Sequence, residues 1–265
     1  MATTPVEVKK TPPAPANPPD ALRSRRSGPQ GDIAAEFLDA DLTDQNRRLR
    51  RRQSELARFS AFAIVCRDLD RVLSEAARVC AECMRVPYCA IYRYRPEEND
   101  LLVAAGFGWD HGTIGRVSSK IDGSTPHGRA FTTGEPVICN RLSDDKKLVR
   151  PRLYSSHGIV TALSVLIISD YQPSGLHYGA LENLPYGVLE IGATAQRDYA
   201  DHDIDFLSSI ANIAAAAVDK MKRDAALRVA DDRFQDVIED QRSSSEAASV
   251  LPDKVRRSRL EQVQD

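Results

Sequence analysis

Absences set the first limits on this chain. No apolar run approaches the ~20 residues that a membrane-spanning helix needs; the greasiest stretch, Ile210 to Val218, is mostly alanine. Neither charge sign dominates, with 36 Lys and Arg against 38 Asp and Glu in 265 residues and a formal net charge of −2. A dedicated nucleic-acid binder would carry a basic domain, so that partner class is set aside. Cysteine is scarce and odd in number, five between Cys66 and Cys139, which reads as reduced thiols rather than a disulfide framework. The first residues lack the apolar core of a secretory signal. The expectation is a cytoplasmic protein with no membrane span and no nucleic-acid partner.

What is present is unevenly spread. Seven of the 15 prolines fall in the first 29 residues, and residues 1–35 read as a disordered Pro-rich tail. Residues 36–64 read as a helical lead-in. There Leu42, Leu49, Leu56 and Ala63 recur every seventh position, with Leu38 and Phe59 between them. Two readings stand: a parallel two-stranded coiled coil, or one helix packed on its own domain. The run Arg47, Arg48, Arg50, Arg51 and Arg52 reads as a solvated helix face, since no aromatic residues interleave with it. At the far end, Asp201 is expected to cap a closing helix, with Asp203 and Asp205 favoured by the helix dipole. Its apolar stripe runs through Leu207, Ile210, Ala214, Val218 and Met221, then thins through Val229, Phe234 and Val237. The helix is expected to reach about 240, leaving 241–265 as a loose polar and basic tail.

Residues 65–225 hold one domain. Leu69, Val72, Leu73, Ala76, Val79, Cys80 and Cys83 give helical spacing, and Pro87 ends that helix. Tyr88 to Tyr94 and Leu101 to Ala105 form a predicted hairpin. Thr125-Pro126 starts a short helix that Gly134 stops. Strands follow at Pro136–Cys139, Ala162–Ile168 and Tyr186–Gly192, the last two separated by a long polar loop from Tyr171. The fold class is α+β, an antiparallel sheet with helices on its faces, flanked by long N- and C-terminal helices.

These residues resemble a known family. Gly128-Arg-Ala-Phe-Thr-Thr-Gly-Glu-Pro-Val is similar to the central signature of GAF domains. His157-Gly-Ile-Val-Thr-Ala-Leu-Ser-Val-Leu-Ile, Tyr186-Gly-Val-Leu-Glu-Ile and Asp203-Ile-Asp-Phe-Leu-Ser-Ser-Ile extend the likeness in the right order. Together they resemble the GAF sensor modules upstream of bacterial HWE-type histidine kinases. The resemblance implies a GAF/PAS-like sheet and a sensory, non-enzymatic role, with a homodimer through the flanking helices and a signalling partner such as a kinase. A kinase half is not expected here. The histidines are His111, His127, His157, His177 and His202; none lies beyond the first turn of the closing helix, and no glycine-rich phosphate loop follows.

The chemistry that GAF domains host elsewhere finds little footing. Cys80-x2-Cys83 lacks the second pair of a closed zinc site, so no metal is expected. Methionine sulfoxide reduction in this family uses clustered cysteines near the central short helix, where Gly123 to Gly128 has none. Covalent bilin attachment needs a thiol near His157, where Ser155 and Ser156 stand. No Ser/His/Asp triad or paired carboxylates can be assembled from the sequence. A pocket between the sheet and the short helices remains, with Tyr92, Phe107, Trp109, His127, Arg129, Tyr154, His157 and Glu190 as candidate lining. Its small-molecule ligand and any cofactor stay unnamed. The alternatives are a ligand-free scaffold that docks a protein, a thiol-dependent redox enzyme, and a noncovalent tetrapyrrole sensor.

Overall fold

The structure, a computed structural model, describes residues 29–141, 148–169 and 185–261. The Pro-rich tail up to residue 28 and the long polar loop from Tyr171 lie outside the described residues. By compactness the chain divides into residues 1–50 and 51–265. In the first unit, helix α1 (Pro29–Val65) begins. An ion pair joins Arg48 to Asp44 one turn away, and Leu42 and Leu49 are exposed.

In the second unit the rest of α1 leads into α2 (Leu69–Met84). Asp68 caps α2 by accepting the Arg71 N–H; of the apolar positions spaced for one helical face, Val72, Leu73, Ala76, Val79 and Cys80 are buried and Leu69 and Cys83 half-buried. The helix ends on Arg85 in the left-handed region, φ 52°. Val86 precedes Pro87 and is biased away from helical geometry. Strands β1 (Tyr88–Arg95) and β2 (Asp100–Phe107) form the expected hairpin. After β3 (Ser118–Lys120), helix α3 (Pro126–Thr133) starts with Thr125 as N-cap and Pro126 in its first turn, and it stops at Gly134, φ 78°. The chain continues through β4 (Val137–Cys139), α4 (Arg152–His157), β5 (Thr161–Ile168), β6 (Pro185–Ala193) and α5 (Asp201–Glu261).

The six strands form one antiparallel sheet in the order β3-β2-β1-β6-β5-β4. One face carries α2, α5 and the last turns of α1, with Phe59, Ala63, Leu73, Ile91, Leu163, Leu189, Leu207 and Ile210 in a shared core. The other face carries the short helices α3 and α4 over Ala90, Tyr92, Val103 and Val188. At the sheet centre, a Cβ on Gly187 would sit 1.7 Å from the Tyr92 carbonyl oxygen. Only glycine lets β6 approach β1 so closely.

Leu56, Phe59 and Ala63 pack on their own domain. Two expectations change. Ala200, not Asp201, takes the cap position of α5: its carbonyl accepts the first helical N–H bonds, and Asp203 reaches back to the Ala200 N–H at 3.2 Å. This is the reciprocal arm of a capping box. Finally, α5 runs to Glu261 rather than to about 240. The Glu, Gln, Ala, Arg and Leu residues of this stretch favour helix, against Pro252 within it.

Candidate functional site

β6 points Glu190 off the sheet on the side away from α5, into a fully buried position. A lone carboxylate there would be costly, so partners must meet it. β5, directly paired to β6 at this position, supplies Ser164, whose hydroxyl donates to Glu190 Oε2 at 2.7 Å. β1 supplies Tyr92, whose hydroxyl donates to Oε1 at 3.2 Å. The first turn of α3 supplies His127, with Nδ1 3.2 Å from Oε2. The imidazole stacks on the Tyr92 ring, centroids 4.2 Å apart, and its Nε2 lies 2.7 Å from Ser119 Oγ on β3.

Burial pushes the Glu190 carboxyl up, but His127, with the Tyr154 and Ser164 hydroxyls, outweighs it and holds the group below its ordinary value. Glu190 is therefore held toward its carboxylate form, with His127 Nδ1 facing it. Burial first, and then the Glu190 charge, push the Tyr92 and Tyr154 phenols well above their ordinary values.

Above this cluster lies a cavity of about 280 Å³. Tyr92 and His127 form its floor; Ser118, Ser119, Lys120, Asp122 and Ser124 line one wall, and Pro151, Arg152 and Leu153 the other. The volume falls just under the ~300–1,000 Å³ of sites for drug-sized ligands. Asp122 is occupied by the Ser124 backbone N–H and hydroxyl, which lower its pKa.

The eight candidate residues separate into four places. Tyr92, His127, Tyr154 and Glu190 come together in or beside the buried cluster. Trp109 and His157 form a second aromatic group with Tyr88, ring centroids about 5 Å apart. There Trp109 Nε1 donates to the Cys89 carbonyl at 2.6 Å, and His157 Nε2 lies 3.3 Å from Asp110. Arg129 turns to the Gly123 carbonyl, 3.4 Å away, and does not line the cavity. Phe107 is on the opposite face of the sheet, 37% exposed, in a groove with Phe62, Arg71 and Ser74. The cause is a β-bulge: Ile91 pairs with Ala105 but Tyr92 with Val103, so Ala104 is the extra residue. Leu101 and Val103 keep to the cavity side, and beyond the bulge Ala105 and Phe107 take the other.

Sequence reading missed Ser119, Ser164, Lys120 and Arg152. Ser164 interrupts an otherwise apolar strand, which is a legible sign of a buried polar partner. Ser119 lies on a three-residue polar strand that leaves no periodic signal. The cysteines are all free thiols, and no group of three His, Cys, Asp or Glu side chains gathers for a metal among the described residues. Burial pushes Cys83 up to about 11 and Cys89 well above its ordinary value.

The family model of the GAF domain matches residues 68–218. No curated protein matches the chain. Among solved structures it is similar to the GAF domain of a phosphoenolpyruvate-protein phosphotransferase from Acinetobacter, with 16% identity and a TM-score of 0.53 over 66% of this chain and 97% of that one. The GAF domain of a phosphoenolpyruvate-protein phosphotransferase from Coxiella burnetii gives 14% identity and a TM-score of 0.55, again over 66% and 97%. Free methionine-R-sulfoxide reductase from Neisseria meningitidis gives 16% and 0.53 over 66% and 91%. At these identities the likeness speaks for the fold, and the family match spans more than half of the sequence. The chain belongs to the GAF domain family.

Proposed function

We propose that this chain is a cytoplasmic sensory module that works by binding rather than turnover. A small molecule in the cavity biases the flanking helices of a homodimer, and a signalling partner such as a kinase reads the helices. The observation that carries this reading is the placement of cavity and helices on opposite faces of the same strand. On β6, Glu190 faces the cavity cluster while its neighbours Leu189 and Ile191 pack in the core shared with α2 and α5. A ligand that shifts His127 or Tyr92 therefore pulls on residues one position away from the helix contacts. The raised Cys83 and Cys89 thiols and the absence of any disulfide favour binding over thiol chemistry, although the fold is shared with a sulfoxide reductase. They also suit a reducing compartment. Leu227 and Phe234, seven apart on α5 and 64% and 63% exposed, offer a seam to a second copy.

Native mass spectrometry of protein from its own cells, with light scattering, tests the proposal. A retained small molecule on a dimer is expected. A strict monomer, or a cavity that retains nothing and responds to no small molecule, refutes it in favour of a protein-docking scaffold.

A further inference from the structure

Ser119, His127 and Glu190 stand in a line of hydrogen-bond distances that serves more than burial of a charge. The hydroxyl oxygen of Ser119 lies 2.7 Å from His127 Nε2, and His127 Nδ1 lies 3.2 Å from the Glu190 carboxylate. Nucleophile, base and orienting acid thus occupy the positions required for hydroxyl activation. Nδ1 faces the Glu190 carboxylate and Nε2 faces Ser119, the orientation in which a neutral imidazole with its proton on Nδ1 accepts one from the hydroxyl. The cluster around the acid is complete: Ser164 and Tyr92 occupy Glu190, and Tyr92 stacks on the imidazole. Ser119 is only half-buried and lines the cavity, so a ligand can reach it. Lys120 and Arg152 line the same cavity and outnumber Asp122 there, so its charge is positive on balance.

We propose that Ser119 is a nucleophile that captures an acyl group from a small ester or thioester bearing an anionic group. The Ser119 oxygen attacks the carbonyl carbon while its proton passes to His127 Nε2. The ester C–O or thioester C–S bond then breaks, and the imidazolium returns that proton to the departing alcohol or thiol. The product is one acylated serine per chain and one free alcohol or thiol, with no redox change. Lys120 and Arg152 favour the anionic group and the oxyanion that develops on the carbonyl. The small cavity limits the acyl donor to a short one. This inference rests on the cavity being the sensory pocket and names how its ligand is held.

The test uses the full chain with two probes, p-nitrophenyl acetate and an alkyl fluorophosphonate, read by intact mass and peptide mapping. The expected result is one label per chain on Ser119, absent in Ser119→Ala and retained in Ser54→Ala, an exposed serine on α1 outside the cavity. Release of p-nitrophenolate should show a burst of about one equivalent. Glu190→Gln acts through His127, so it should slow labelling about 100-fold or more and change the pH profile of the rate. If that variant fails to fold, Ser119→Ala, at a half-buried position on an edge strand, still decides the matter. No label, or a label unchanged in Ser119→Ala, overturns the proposal. A noncovalently retained ligand on a dimer that takes no label would sink this inference and leave the sensory reading standing; a labelled monomer would do the reverse.

Discussion

Arg52 leaves the arginine run and turns inward to Asp203, with its Nη2 2.7 Å from Oδ1. The two side chains are 16% and 10% exposed, so this is a nearly buried pair that ties α1 to the first turn of α5. Arg52 also lies over the Phe206 ring, 5.3 Å from its centroid, and donates to Met84 Sδ. Arg52→Met keeps most of the stem but removes the charge. Breaking a buried pair from one side costs about 3–5 kcal/mol. Asp203 retains the Ala200 N–H and has His202 3.4 Å away, which places the cost at the lower end, about 3 kcal/mol including the lost cation–π contact. At roughly 2–4 °C per kcal/mol for a domain of this size, Tm should fall by about 6–12 °C. Asp203→Asn should cost a similar amount, and the double variant less than the sum, because neither charge is then left buried alone. Urea denaturation followed by circular dichroism measures all three, and hydrogen exchange across residues 52–65 locates the loosening. A cost below about 1 kcal/mol for Arg52→Met would refute the reasoning, since that is the range of a solvent-screened pair.

Other outcomes follow from the same geometry. The Glu190 carboxyl is held below its ordinary value of about 4.3, so the folded chain binds fewer protons there than the unfolded chain. Its contribution to stability is full above about pH 4.3 and drains away as pH falls through the folded value; Glu190→Gln should lower stability at pH 7 and flatten that acid limb in denaturation measured against pH. With its pKa near 11, up from 9.0, Cys83 should carry about 100-fold less thiolate at pH 7.5 than an ordinary cysteine, and should alkylate correspondingly slowly with iodoacetamide. Rapid modification would contradict this. Gly187→Ala would drive a Cβ into the Tyr92 carbonyl and part β1 from β6; insoluble or molten protein is the expected yield, and a well-dispersed amide spectrum would be the contrary result.

The elements with local causes were legible in the sequence. The start and stop of α3 follow from Thr125, Pro126 and Gly134, and α2 follows from a regular apolar stripe bounded by Asp68 and Pro87. The hairpin and the three later strands were readable from apolar runs bounded by turn residues. What escaped depends on partners distant in sequence. Arg52 and Asp203 are 151 positions apart, and each reads alone as an ordinary surface charge or helix-dipole residue. Glu190 and His127 were singled out, but the alignment of His127 with Ser119 requires β3 to pair with β2, and a strand of three polar residues announces nothing. Strand parity itself misplaced Phe107, because alternation holds only while every residue is paired.

That single unpaired residue has a genetic consequence. Deleting the Ala104 codon would remove the extra residue and carry the alternation set by Leu101 and Val103 onward through the strand. Phe107 would then turn toward the cavity, and the groove beside Phe62 would lose its aromatic wall. No substitution is needed for this exchange of faces. Related chains that differ by one residue in this hairpin would differ in which side of the sheet meets small molecules with an aromatic ring, while a residue-by-residue comparison of their side chains would show almost nothing changed.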